Sequence, residues 1–223
     1  MVFQNSELAV SVFITLKVVG MTTLILICVG IPVGYFLAVN NKIVSKIILI
    51  VCILPLVMPP TVTGFFLFKL FSKTGLLGEV LNNIFGWRIT FTWIAAVIAS
   101  TVISLPIMII SARQSFKNIP RELIDTTKVY SGSLSDYYLK AIFPLAKNGM
   151  LGGLVLSVTR AFGEFGATMM IAGNISGQTQ TLSLHIYDSF ISGNDSELMI
   201  SVGILILISL GSVVITLSFL REK

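Results

Sequence analysis

Arg160 and Glu164 stand four residues apart in a stretch, 150–172, that is otherwise apolar. On a helix that spacing puts both side chains on one face, where they can pair. An unpaired charge at the centre of a membrane span costs at least about 2.5 kcal/mol, so the pair is expected to face protein or water. Two uses are open to it: a self-neutralising ion pair that fixes helix packing, or a charged element of a polar path. Gly163 and Gly166 flank Glu164, and Thr168 adds a hydroxyl. Small residues here let another backbone come close.

The second constellation is Leu54-Pro55-Leu56-Val57-Met58-Pro59-Pro60-Thr61-Val62-Thr63-Gly64. Its prolines remove backbone donors and kink or break a helix. At membrane depth such a break is tolerated only beside protein or a water-filled cavity, and discontinuous helices line transport sites. Pro59, Pro60, Thr61, Thr63 and Gly64 are therefore candidates for a pathway, with a packing kink as the plainer alternative. Pro106 is isolated and reads as a packing kink.

Other chemistry is missing. There is no Gly-x-x-x-x-Gly-Lys-Ser/Thr loop, so any ATP-driven work must come from a partner. No Cys, His or carboxylate cluster has metal-ligand spacing, and neither a Gly-x-Ser-x-Gly elbow nor a His-Glu-x-x-His helix occurs. The expectation is a chain that is not an enzyme and holds no cofactor or metal itself. Its one histidine, His185, reads as a solvated loop residue, and Cys28 and Cys52 as small hydrophobes in apolar runs.

The elements that must carry these residues follow from composition. Of 223 residues, 55% are hydrophobic and 11% charged, against about 25% charged in a soluble domain. This is an all-α membrane protein, its charges scattered between apolar runs rather than gathered into a nucleic-acid-binding patch. Runs long enough to cross a hydrocarbon core predict spans at Val18–Val39, Ile43–Phe68, Thr90–Ser111, Met150–Ala172 and Leu198–Leu220. Ser6–Leu16 would supply a sixth, interfacial or spanning, segment, and the first run is expected to be retained rather than cleaved. Alternate connections hold ten Lys and Arg residues against four, which predicts the N-terminus outside and the C-terminus in the cytoplasm.

The connection 112–148, on the cytoplasmic side, carries six basic residues and a helical pattern through Leu123, Thr127, Tyr130, Leu134 and Tyr138. Spacing alone does not choose between a helix lying on the membrane and a docking element for a cytoplasmic partner.

From about Ser11 to the last span the sequence resembles molybdate ABC transporter permeases. The likeness is carried by Arg160-Ala161-Phe162-Gly163-Glu164-Phe165-Gly166-Ala167-Thr168, running on to Ile175, by Thr179-Gln180-Thr181-Leu182 through Ile186-Tyr187, and by the Leu54–Gly64 stretch. The cytoplasmic connection resembles the coupling motif of binding-protein-dependent permeases: Glu-Ala-Ala, three residues, Gly, nine residues, Ile-x-Leu-Pro. Counted back from Phe143-Pro144, Asp125, Thr126 and Thr127 fall on its first three positions and Ser131 on its glycine, with Gly132 one place late.

The resemblance implies a type I ABC importer permease, MetI-like in architecture. Two copies of the chain would sit in the cell membrane, with ATP-binding subunits inside and an oxyanion-binding protein outside. Asp125, Thr126, Thr127, Ser131, Gly132 and Pro144 would then serve ATPase coupling. Pro59, Pro60, Thr61, Thr63, Gly64, Arg160, Gly163, Glu164, Gly166 and Thr168 would line the pathway or the dimer interface. Asn174, Thr179, Thr181 and Tyr187 would lie on the loop facing the binding protein. A sulfate or tungstate permease of the same build is the alternative, and a passive channel or membrane scaffold the remaining one.

Overall fold

The computed structural model describes residues 2–40, 42–130 and 132–221, and among these it is helical with no strand. In chain order the helices are α1 (Val2–Ile25), α2 (Ile31–Val39), α3 (Ile43–Val57), α4 (Pro60–Phe71), α5 (Leu76–Phe85) and α6 (Trp93–Lys117). They continue as α7 (Arg121–Tyr130), α8 (Leu134–Asp136), α9 (Phe143–Phe162), α10 (Gly166–Ala172), α11 (Leu182–Ser192) and α12 (Asp195–Arg221).

A π turn at Leu26–Gly30 joins α1 to α2, making a helix of 33 residues from Glu7 to Val39. At about 1.5 Å per residue this is about 50 Å, well over the roughly 30 Å of a hydrocarbon core. Ser6–Leu16 thus prolongs the first span beyond its expected start at Val18 and forms no sixth helix. The buried face explains why: Ser11, Ile14, Thr15, Val18, Val19, Thr22 and Leu26 form one stripe, and its first members are partly hydroxyls. A second π turn, Tyr137–Ile142, makes Tyr137–Phe162 one 26-residue helix. Each π turn is followed two residues later by a proline, Pro32 and Pro144. The wider turn relieves the clash of the ring with the preceding carbonyl and the loss of a donor.

Around the central α6 the other spans assemble. Its buried Ala95, Ala96, Ala99, Ser100, Ser104 and Ala112 are small, and small residues let helices close in where no hydrophobic effect drives them together. Ala112 and Phe116 continue this buried face, so α6 runs past the expected end at Ser111 to Lys117. Arg113 Nε donates to the carbonyl of Leu37 at 3.2 Å, a cation at the C-terminal end of α2. With α6 and the Tyr137–Phe162 helix trimmed away, only 118–136 of the 112–148 connection stands between spans.

Among the described residues four helices are long and apolar enough to cross a membrane, and α3 with α4, bent by 114°, makes five where the pair is counted as one span. The expected span Ile43–Phe68 is therefore two helices parted at Met58–Pro59, and the expected span 150–172 is also two, parted at Gly163–Phe165. Tight packing governs the α2–α6 contact: a β-carbon on Gly34 would lie 2.6 Å from that of Ala112 and 3.0 Å from the Ile109 carbonyl oxygen. Gly34→Ala is accordingly expected to lower stability by about 1–3 kcal/mol through overpacking. Gly20→Ala, with nothing within 4 Å, should be neutral or stabilising by up to about 1 kcal/mol. Thermal unfolding of the purified protein in detergent compares the two.

Candidate functional site

Both helix breaks are stabilised by the same neighbour, namely each other. α4 begins at the first break and α10 at the second, and the two short helices pack face to face. A β-carbon on Gly64 would sit 2.7 Å from the Ala167 Cα, and one on Gly166 would sit 3.2 Å from Pro60 Cβ and Thr61 Cγ2. Only glycine permits that approach on the α4 side, where the opposing atom is backbone. Thr63 and Thr168 are buried at 6% and 0% exposure, and their hydroxyls have no hydrogen-bond partner among the described residues. Pro59 and Thr61 lie on the exposed side of the same region.

Arg160 and Glu164 do pair, with Nη1 2.8 Å from Oε2, but not across one helix face. α9 ends at Phe162, and the chain crosses Gly163–Phe165 before α10 begins. Glu164 is 2% exposed, and its Oε1 accepts the Ala167 N–H at 2.8 Å. The carboxylate thus satisfies an orphan donor at the start of α10, where the helix dipole also favours negative charge. Ser183 Oγ donates to the Phe162 carbonyl at 3.0 Å, on the other side of the break. Exposed Gly163, with nothing within 4 Å of an added β-carbon, is the open point of the break.

In the loop from Gly173 to Thr181 both threonines are turned inward. Thr179 is fully buried: its hydroxyl accepts the Ile175 N–H and donates to the Gly173 carbonyl, both at 3.1 Å. Thr181 is 5% exposed. Thr179 thus holds the loop's shape from within, the Thr181 hydroxyl has no partner among the described residues, Tyr187 is exposed and Asn174 half-buried. The loop is tied to α1 by Ser11 Oγ donating to Gln180 and by the Leu182 N–H donating to Thr15 Oγ1. His185, expected to be solvated, is 3% exposed. It lies 3.4 Å from Glu197 Oε2 and 3.1 Å from Ser201 Oγ. No pattern in its own neighbourhood marked it, because its partners lie on the next helix.

At the other end of the molecule α7 leans on an aromatic cluster. Tyr35 meets Phe116 at 5.0 Å and Tyr138 at 5.6 Å between ring centroids, and Phe116 meets Phe143 at 5.7 Å. Ile124 packs against this cluster, leaving Arg121, Glu122, Leu123, Asp125, Thr126 and Lys128 exposed along α7. The Thr126 and Thr127 hydroxyls donate to the carbonyls of Glu122 and Leu123 in the same helix. Gly132 is exposed, Pro144 is exposed at the start of α9, and Ser131 lies outside the described residues. Lys140 and Ser133 beside Asp136 hold its carboxyl below the usual carboxylate range. A cleft of about 440 Å³ opens beside α7, with Lys117 and Arg121 at its edge and Tyr35 and Tyr137 among its walls.

The glycines at 149, 152 and 153 are used inside the chain. Gly149 faces Ser115 and Gly153 faces Ser111 on α6, while Gly152 lies against Thr216 on α12.

A multi-pass helical bundle in which two helix breaks are locked together, with a short amphipathic helix at the opposite end, is the build of a type I ABC importer permease. The chain belongs to the family of binding-protein-dependent transport system inner membrane components, which it matches over residues 30–221. It is 36% identical over 219 residues to the putative molybdenum transport system permease protein YvgM of Bacillus subtilis, covering 98% of this chain and 94% of that one. With the molybdenum transport system permease protein ModB of Haemophilus influenzae it shares 36% identity over 165 residues, 74% of this chain and 72% of that one. ModB of Escherichia coli K12 is 32% identical over 181 residues, 79% of this chain and 77% of that one. In fold it is similar to a chain in a solved inward-facing structure of the MetNI methionine ABC transporter, with a TM-score of 0.69, 17% identity and 97% of both chains covered.

The geometry distinguishes the roles of the buried pair. Exchanging the charges, Arg160→Glu with Glu164→Arg, keeps the pair but sets a cation against the Ala167 N–H and the α10 N-terminus. It is expected to destabilise the protein by about 1–3 kcal/mol, because the Ala167 N–H loses its acceptor. Arg160→Gln with Glu164→Gln keeps an acceptor for Ala167 and removes both charges, and should recover most of that loss. Melting temperatures of the two double variants in detergent check the order.

Proposed function

We propose that this chain is the membrane-spanning subunit of an ATP-driven importer that passes molybdate, a tetrahedral oxyanion, into the cytoplasm. The observation that carries the reading is the 36% identity to a molybdenum permease over 98% of the chain, a span that includes both helix breaks and α7. Two copies of the chain form the pathway between them. A separate ATPase binds and hydrolyses the ATP, so the chain has no catalytic site and holds no cofactor. An external binding protein delivers the oxyanion.

The excess of positive charge in alternate connections supports a cytoplasmic C-terminus and an external N-terminus. In that orientation α7 faces the ATPase, and its exposed Asp125 and Thr126 are available to it, while Asn174 and Tyr187 lie on the side of the binding protein. Thr61, on the open side of α4, offers a hydroxyl to a passing dianion without the tight grip that would obstruct release. Arg160, about one third exposed beside Glu164, keeps its charge balanced within the chain, which again favours passage over capture.

Uptake of labelled molybdate into proteoliposomes holding the chain, its ATPase and its binding protein tests the substrate. Uptake should persist in excess sulfate; sulfate competing as an equal overturns the assignment to molybdate. Replacing residues 125–132 with a flexible linker should leave membrane insertion intact and abolish co-purification of the ATPase. Retention of the ATPase by that variant would remove α7 from the coupling role.

A further inference from the structure

α11 is a strut with two working faces. Ser183 and Tyr187 form one row, and His185 and Ser189 the other; residues two apart on a helix are rotated by about 200°, so the rows point in opposite directions. The first row touches the break between α9 and α10. Ser183 Oγ donates to the Phe162 carbonyl at 3.0 Å, and the Tyr187 ring stands 5.2 Å from that of Phe165. The second row meets α12. His185 Nδ1 is 3.1 Å from Ser201 Oγ and 3.4 Å from Ser189 Oγ, and Nε2 is 3.4 Å from Glu197 Oε2.

Glu197 needs this partner. Its side chain is only 12% exposed, and Oε1 has no hydrogen-bond partner among the described residues. A carboxylate so placed is costly unless a cationic or donating group stands against it. The acid on α11 itself, Asp188, is engaged by Asn174 Nδ2 at 3.3 Å and Gln180 Nε2 at 3.5 Å. His185 therefore serves Glu197, and the loop before α11 is bound separately.

We infer that His185 and Glu197 are a positioning pair: by locking α11 to α12 they set the geometry of the Gly163–Phe165 break, although neither residue touches it. The inference rests on the reading of the chain as a binding-protein-dependent permease, in which α11 and its loop lie on the side of the binding protein. A displacement of α12 or of α11 at that surface is then delivered to the break through Ser183 and Tyr187.

The test reads the break directly. Cys28 and Cys52 are replaced by alanine, Gly163→Cys is introduced at the open point, and its labelling by a membrane-impermeant maleimide is timed in the complex with the ATPase. His185→Gln keeps a polar side chain but leaves the Glu197 charge without its partner, and should change the labelling rate at least about threefold. His185→Gln with Glu197→Gln removes that charge and should return the rate to within about twofold of the parent, as expected for residues coupled in one network. An unchanged rate in His185→Gln, or a double variant no closer to the parent than the single, overturns the inference. Should His185→Gln not assemble, His185→Asn is measured in its place, alone and with Glu197→Gln, and the same two outcomes decide. Labelling does not depend on the substrate, so a shift seen without molybdate uptake sinks the proposed function and leaves the positioning pair standing.

Discussion

Backbone polar groups freed at a helix break in a membrane protein have to find partners within the protein, and this requirement organises the chain around its two breaks. Neither break could stand alone in lipid. α4 and α10 solve the problem jointly: each buries the start of the other, and Glu164 takes the N–H that the second break exposes. The contact demands glycine at 64 because the opposing atom is main chain. It also explains why Thr63 and Thr168, each within one turn of its helix start, are buried.

The rest of the bundle can be understood as support for that junction. α6 carries it on one side with a surface of alanines and serines. α1 reaches beyond the apolar core to hold the loop after α10, using Ser11 and Thr15 as anchors. α11 closes the other side. The charges in the interior are arranged as local pairs, so the centre of the molecule is polar without being strongly charged. At the opposite end, the aromatic cluster around Tyr35 and Phe116 gives α7 a firm seat, which any helix transmitting force into the membrane requires.

Much of this was legible from residue types. Composition fixed the class, the proline run announced the first break, and the Arg160–Glu164 spacing announced a pair. The second break was not legible in the same way, because Gly163-Glu164-Phe165 sits in an apolar stretch of ordinary span length, and one face of one helix seemed sufficient to pair the charges. His185 escaped for a related reason: loop residues between spans read as solvated, while burial of this one depends on how α11 folds back on α12. Thr179 and Thr181 belong to a motif that invites a surface role, yet both are buried, and the Thr179 hydroxyl bonds the loop's backbone from within. The start of the first span was misplaced because its buried stripe opens with hydroxyls, which a search for apolar runs passes over.

The π turn in the first helix has a consequence for how that helix is read. From Thr22 to Gly34 its buried positions are Thr22, Leu26, Gly30 and Gly34, four apart, before Leu37 follows at three. At about 100° per residue, three such steps carry an α-helical stripe about 120° around the axis. One extra residue in the wide turn absorbs most of that drift and brings Gly34 back over Ala112. The repeated interval of four ahead of and across Pro32 is thus a phase mark: it records, in the spacing of small and apolar residues, a change of winding that neither hydropathy nor helix propensity registers.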